Sequence, residues 1–367
     1  MKLNDIISRI PIWYQSGDCY TLRSAPGRGK TETVFEAPRI LKEKLNLNIG
    51  ISYINGGLLS PMHTLGFGLP KHASAGDKHA HSLMVFSKPF FWMTDPSSVD
   101  EGGKFLEDYD GGIIFVDEAD KADVDVKKVL GEGALSGRFG PHRLPKGWVV
   151  WMAMNRAEDR SGSTKELDHL INRRTEINVT DDLDSWVDWA TKNNVTPVTI
   201  AFAVNNPHVV WADKLPDKQG PYCTPRSLVK MDKYRQLLTS KGMPDDDELA
   251  MEEATGTIGG PATAQYFATV KLEKEMPTYQ EIKSNPKGAK VPEGKPDACM
   301  LICYNLAHRV TAEDATPVIT YIDRMPKEFA ATFARAAVKR DYKLAMVPAF
   351  HKWAMANQHL LNAINNA

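Results

Sequence analysis

This sequence has little cysteine, almost no net charge and no long apolar run, and each scarcity removes a class of protein. Four cysteines among 367 residues, Cys19, Cys223, Cys299 and Cys303, are too few and too scattered for a disulfide framework. Lys+Arg number 45 and Asp+Glu 46, so bulk charge supports neither nucleic-acid binding nor attachment to an anionic membrane surface. No apolar run reaches the ~20 residues needed to span a bilayer. The opening MKLNDIISRIPIWYQ lacks the apolar stretch followed by small residues that marks a signal peptide. The expectation is a soluble, cytoplasmic protein with no membrane partner. What the chain does have is a hydrophobic fraction of 42% over a length beyond one ordinary domain, which predicts two or three units.

The stretch TLRSAPGRGKTET (21–33) reads as a phosphate-binding loop. DCYTLR before it has a strand signature, and GKTETVFEAPRILKEKL after it reads as a helix that Pro38 shortens or kinks. Gly27 and Gly29 allow successive backbone N–H groups to turn inward as an anion nest at a helix start. Pro26 has no N–H, so the donors are expected from Gly27 through Thr31, with Lys30 on the β- and γ-phosphates and Thr31 on Mg²⁺. Ser24 stands where this pattern usually begins with glycine. That position is at the strand exit, away from the wrapping N–H groups, and a small residue serves there if its dihedrals suit a side chain.

NIGISYING (48–56) predicts a second strand. The region 58–105, rich in Gly, His and Lys, is too long for an ordinary connection and reads as an insertion. GGIIFVDEAD, GWVVWMAMN and RRTEINV predict three more strands, the first two buried and parallel. Strands alternating with helical stretches imply an α/β parallel sheet. Beyond Asp184 the pattern turns helical, with TPRSLVKMDKYRQLL and GPATAQYFATVKLEKEM as well-signalled helices, then a Pro/Gly/Lys linker at 285–297 and a helical tail. The expected division is a core over 1–182, helices over 183–290 and a helical extension over 291–367. Cys299 and Cys303, four apart, mark a buried helical face, and KPFFWM (88–93) marks packing in a core or between subunits. His72, His79 and His81 have metal-like spacing, but no cysteine or paired acid completes a set, and a solvated loop is the simpler reading.

Four further positions carry chemistry. Asp117 and Glu118 close a buried strand, at the lip of a parallel sheet where ligands bind. There Asp117 can hold Mg²⁺, and Glu118 can orient and deprotonate water. Asn155 ends the next strand with a neutral amide able to hold that water or the γ-phosphate, although a plain turn residue looks the same. Arg173 or Arg174, before the last core strand, can reach a neighbouring subunit's nucleotide and stabilise charge there. Either arginine can equally be a surface ion-pair partner. Thr224 can cap the helix that Pro225 opens, placing Arg226 on its first turn, aimed at the nucleotide.

In this order the motifs resemble those of AAA+ ATPases. SAPGRGKTE is similar to the Walker A segment (Ser24, Ala25, Pro26, Gly27, Arg28, Gly29, Lys30, Thr31, Glu32), IIFVDEAD to Walker B, MAMN to sensor 1, LINRR to the arginine-finger segment and TPRSL to sensor 2. Within that family, LLSPMHTLGFGLP, GALSGRFGPHRLPKGWVVWMAMN and GTIGGPATAQYFATVKLEKEMPTYQEI resemble the MoxR-like branch. The resemblance covers roughly 10–285. It implies a P-loop core with a five-stranded parallel sheet, a helical lid and a helical extension, with ATP and Mg²⁺ bound between subunits of a ring, usually a hexamer. It also implies a partner with a von Willebrand factor A domain and the remodelling of other proteins. A nucleic-acid motor or helicase loader on the same core is the alternative, which the balanced charge does not favour. A scaffold that binds nucleotide without hydrolysis is a second alternative, opposed by Lys30, Thr31, Asp117 and Glu118.

Overall fold

The computed structural model describes residues 1–70, 84–94, 98–100, 102–156, 159, 171–212, 214, 216, 219–292 and 294–358. His72, His79 and His81 lie outside the described residues. The chain divides into two compact units, Met1–Asp181 and Asp182–Ala367.

The first unit is built on strands β1 (Tyr20–Arg23), β2 (Ile49–Asn55), β5 (Gly111–Asp117), β8 (Trp148–Met154) and β9 (Thr175–Asn178). They form one sheet in the order β2-β5-β8-β1-β9, every pair parallel. Successive side chains on a strand face opposite ways, so a sheet covered on both sides needs apolar residues at both parities. β5 and β8 meet that demand. Ile113, Phe115, Val149 and Trp151 pack on one face, with Ile6, Ile10, Val34 and Leu41 from the helices Leu3–Ser16, Lys30–Phe35 and Ala37–Leu45. Ile114, Val116, Val150 and Met152 pack on the other, against Val126 and Leu130 of the helix Val124–Ser136.

Pro38 acts as expected: the helix after the loop stops at Phe35 and resumes at Ala37, with the proline in the new first turn. The first helix, Leu3–Ser16, carries Pro11 internally and has no side-chain cap, so neither start nor continuation is signalled locally. Its apolar face, Ile6, Ile10 and Trp13, holds it on the sheet. The insertion holds the helix Pro61–Leu65 and a two-stranded ladder of β3 (Gly68–Pro70) with β4 (Met84–Phe86). From KPFFWM, Phe91, Trp92 and Met93 enter the core while Phe90 stays exposed. Phe91 and Trp92 meet Phe139 of the small hairpin β6 (Arg138–Phe139) and β7 (His142–Arg143), edge to face.

Among the described residues, every regular element of the second unit is a helix, as the pattern predicts. Its helices include Leu183–Lys192, Pro197–Asn205, Pro225–Ser240, Glu248–Ile258, Gly260–Lys274, Pro296–Arg309, Ala315–Ile322 and Lys327–Arg340. Two apolar clusters fill it, and both take residues from Pro296–Arg309. Leu301 joins the cluster around Phe202 and Tyr266, while Cys299 and Cys303 join the one around Tyr321 and Phe333. All four cysteines are buried and unpaired with each other. Among the described residues, no helix is long and apolar enough to cross a membrane.

Candidate active site at the carboxyl end of the sheet

The parallel registers bring the strand ends level. Asn55 of β2 lies opposite Asp117 of β5, and Arg23 of β1 opposite both Met154 of β8 and Asn178 of β9. The residues that follow β1, β5 and β8 therefore meet at one edge of the sheet, which is where a doubly covered parallel sheet exposes a crevice.

After β1 the chain turns through the loop. Gly27 and Gly29 take φ of 75° and 84°, the left-handed region closed to most side chains, and Gly29 leads directly into the helix at Lys30. Ser24 needs no such freedom: among the described residues the non-glycine positions with positive φ are Asn46, Glu118 and Asn194. Ser24 is instead buried and functional in the loop's wiring. The Lys30 ammonium donates to Ser24 O (3.0 Å), Ser24 Oγ (3.1 Å), Ala25 O (3.1 Å) and Asn155 Oδ1 (3.1 Å). Lysine and asparagine from two different motifs thus touch. The Arg28 side chain turns into the protein and Glu32 is exposed, so their side chains do not join this group.

Thr31 Oγ1 donates to Asp117 Oδ2 at 2.7 Å. A hydroxyl and a carboxylate on adjacent elements, both half-buried, are the hard oxygen donors that suit Mg²⁺, so the residues present fit that ion. The Glu118 backbone is left-handed, with φ of 51°, strained for a side-chain residue. The peptide N–H of Glu118 donates to Asp117 Oδ1 at 2.9 Å. Its carboxylate accepts from Asn55 Nδ2 (3.2 Å) on one oxygen and from Lys121 Nζ (2.8 Å) on the other. Gly56 makes this close approach possible, because a Cβ there would lie 2.9 Å from both Ala119 Cα and Glu118 O. Asn155 is fixed through its backbone N–H, which donates to buried Asp120 Oδ1 at 3.1 Å.

Asn55, Asp120 and Lys121 were not singled out in the sequence. Asn55 did carry a signal, since a polar residue ends an apolar strand there, as Asp117 and Asn155 do at their strands. Asp120 and Lys121 carried none, because a charged turn after a strand is ordinary.

The two arginines of LINRR separate. Arg173 keeps 28% of its side chain exposed and pairs with Glu132 at 3.2 Å. Arg174 is 6% exposed, pairs with Glu176 at 3.5 Å and donates to Met154 Sδ at 3.6 Å. Glu176 also pairs with Arg23 at 3.0 Å, so Arg174 belongs to the wall of its own sheet. In the helical unit, Thr224 and Ser227 form a reciprocal cap, Pro225 opens the helix, and Arg226 is exposed on its first turn.

Fold and site define a five-stranded parallel α/β core with a glycine-bearing loop between β1 and the helix at Lys30, followed by helices. No protein-family model matches the chain, and no curated protein matches it. Solved structures similar to it include NtrX from Brucella abortus (13% identity, TM-score 0.39, 96% of this chain and 67% of that one), also crystallised in complex with ADP and with ATP. A P216G mutant of Thermotoga maritima RuvB is another (12%, 0.38, 76% and 73%), and so is Hsp104 in a closed state with ATPγS and FITC casein (15%, 0.32, 75% and 45%). At these TM-scores the likenesses add nothing to what sheet order and site geometry establish.

Proposed function

We propose that the chain is an AAA+ ATPase that hydrolyses Mg·ATP at the carboxyl end of its sheet, in sites shared between subunits of a ring. The observation that supports this best is the meeting of three separate motifs at one sheet edge, Lys30 bonded to Asn155 and Thr31 to Asp117, which also accepts from the Glu118 N–H.

In this reading the N–H groups of Gly27 through Thr31 receive the phosphates, and Lys30 exchanges loop carbonyls for phosphate oxygens. Thr31 and Asp117 would hold Mg²⁺, which would supply positive charge to offset that of the phosphates. Glu118 takes the proton of the attacking water, and Asn55 and Lys121 hold its carboxylate by both oxygens meanwhile. Asn155, already bonded to Lys30, orients the water or the γ-phosphate. Arg173 is the better candidate for the charge lent to a neighbouring site, because Arg174 would have to leave a buried pair to reach outward. The sensor role of Arg226 rests on its place on the first turn of a capped helix and on the resemblance. The hexameric state, the MoxR-like branch and a von Willebrand factor A domain partner in remodelling other proteins rest on the resemblance alone. The cytoplasmic location and the division of the helical unit into lid and extension rest on the sequence pattern.

The test is steady-state ATP turnover against protein concentration, for the wild type, Glu118→Gln, Arg173→Ala and Arg174→Ala. Turnover per subunit should rise with concentration as the ring assembles. Glu118→Gln should keep ATP binding and lose turnover about 100-fold or more. Arg173→Ala should do the same at saturating concentration, while Arg174→Ala should chiefly lower the melting temperature. Normal turnover in Glu118→Gln sinks the base assignment, and turnover independent of concentration and of both arginines sinks the shared site.

A further inference from the structure

Arg28 sits at the tip of the loop, between the two left-handed glycines. A guanidinium in that place has an obvious alternative, which is to face the anion that the loop's N–H groups attract. It does not. Its side chain is 5% exposed, and Nε lies 3.2 Å from Asp181 Oδ1. Asp181 follows β9, and the backbone ahead of it is firmly held. Val179 N–H donates to Arg23 O at 2.8 Å, and Thr180 N–H donates to Met1 O at 3.0 Å. The Met1 ammonium in turn donates to Asn178 O at 2.6 Å. Arg23 is the last residue of β1, the strand that feeds the loop. The ion pair therefore closes a circuit: from Arg23 through the loop to Arg28, across to Asp181, and back through Val179 to Arg23.

We propose that the Arg28–Asp181 pair anchors the tip of the phosphate loop, making Arg28 a positioning residue for nucleotide binding and not a phosphate ligand. The proposal rests on reading 24–31 as the ATP site. A loop with two glycines has wide conformational freedom, and ordering it at the moment of binding costs affinity. An anchor set in the folded protein removes part of that cost beforehand. It also matches the guanidinium with a carboxylate, so that Lys30 remains the loop's cation for phosphate. The anchored groups do not touch the reacting atoms, so the effect falls on binding and not on the chemical step.

The experiment compares wild type, Arg28→Ala, Asp181→Asn, the double variant and Arg28→Lys by four readouts: ATP Kd, kcat at saturation, melting temperature, and amide hydrogen exchange of 24–31 without nucleotide. Each single variant should weaken ATP binding about tenfold with kcat within about twofold. The double variant should be no weaker than either single one, since both remove the same contact. Arg28→Lys should recover most of the affinity, and loop amides should exchange faster in every variant that lacks the pair. Tighter ATP binding in Asp181→Asn would overturn the proposal, because it would make the released Arg28 a phosphate ligand. Unchanged Kd with a lowered melting temperature would overturn it too, leaving a purely structural pair. If the wild type binds no ATP, the site reading fails separately. Hydrogen exchange then decides the anchor: faster loop exchange in the variants supports it, and unchanged exchange overturns it.

Discussion

Buried polar groups are handled in opposite ways in the two units. At the sheet edge, Lys30 spreads over Ser24, Ala25 and Asn155, Thr31 leans on Asp117, and Glu118 is shared by Asn55 and Lys121. These groups are mostly half-buried, come from separate strands and have bonds that a phosphate or a cation can replace. In the helical unit, Arg235 donates to Tyr266 Oη (2.6 Å), Tyr266 to Thr199 Oγ1 (2.7 Å), and Thr199 to Asp232 Oδ1 (2.6 Å). Asp232 also accepts from Thr196 N (3.1 Å) and Gln236 Nε2 (2.8 Å), and burial pushes the Tyr266 hydroxyl up to about 12. Thr199, Asp232 and Tyr266 have no exposed surface. That chain ties three helices of one unit together, through side chains with no exposed surface at its centre. The contrast teaches that burial of charge alone does not mark a site. What marks one is charge held at a sheet edge by partners that can be exchanged.

Three substitutions test that contrast, in falling order of effect. Lys30→Ala should cut ATP turnover about 1000-fold, because it removes the ammonium that the loop places beside its own N–H groups. The melting temperature should move by only about 3 °C, read by calorimetry. A variant that keeps turnover but unfolds would make Lys30 scaffold, like the helical network. Asp232→Ala should do the reverse, costing about 3 kcal/mol of stability in denaturant titrations by leaving several buried donors unpaired. ATP Kd should stay put, and a loss of nucleotide affinity without a loss of stability would put this network among the site's parts. Ser24→Gly should change ATP Kd by no more than about threefold by calorimetric titration. The peptide oxygen that Lys30 uses survives, and only the hydroxyl contact goes. A tenfold gain in affinity would instead mean that serine weakens the loop.

Much of the α/β unit was legible along the chain because its signals are local. β2, β5 and β8 are largely apolar runs that end on or just before a polar residue, and glycine, Lys30 and Thr31 follow in fixed succession after β1. The helix Leu3–Ser16 was not legible, since Pro11 and the missing cap hide it and only its packing on the sheet holds it. Asn55, Asp120 and Lys121 were not legible as site residues either. The roles of Asn55 and Asp120 exist only because β2 lies beside β5 and β8 beside β5, an order no run of residues states, while Lys121 reaches Glu118 within their own turn.

By itself, then, the sequence determined the order of the motifs and the strand-turn-helix context of the loop, while the backbone of the folded chain decided that Ser24 has no need of glycine's dihedrals. The tertiary structure decided which groups meet. It paired Lys30 with Asn155, clasped Glu118 between Asn55 and Lys121, separated Arg173 from Arg174 by burial and turned Arg28 to Asp181. The physical reason is that backbone preference and periodicity act over a few residues. The direction of a long charged side chain is set by whatever carboxylate or carbonyl the packed sheet brings within about 3 Å of it.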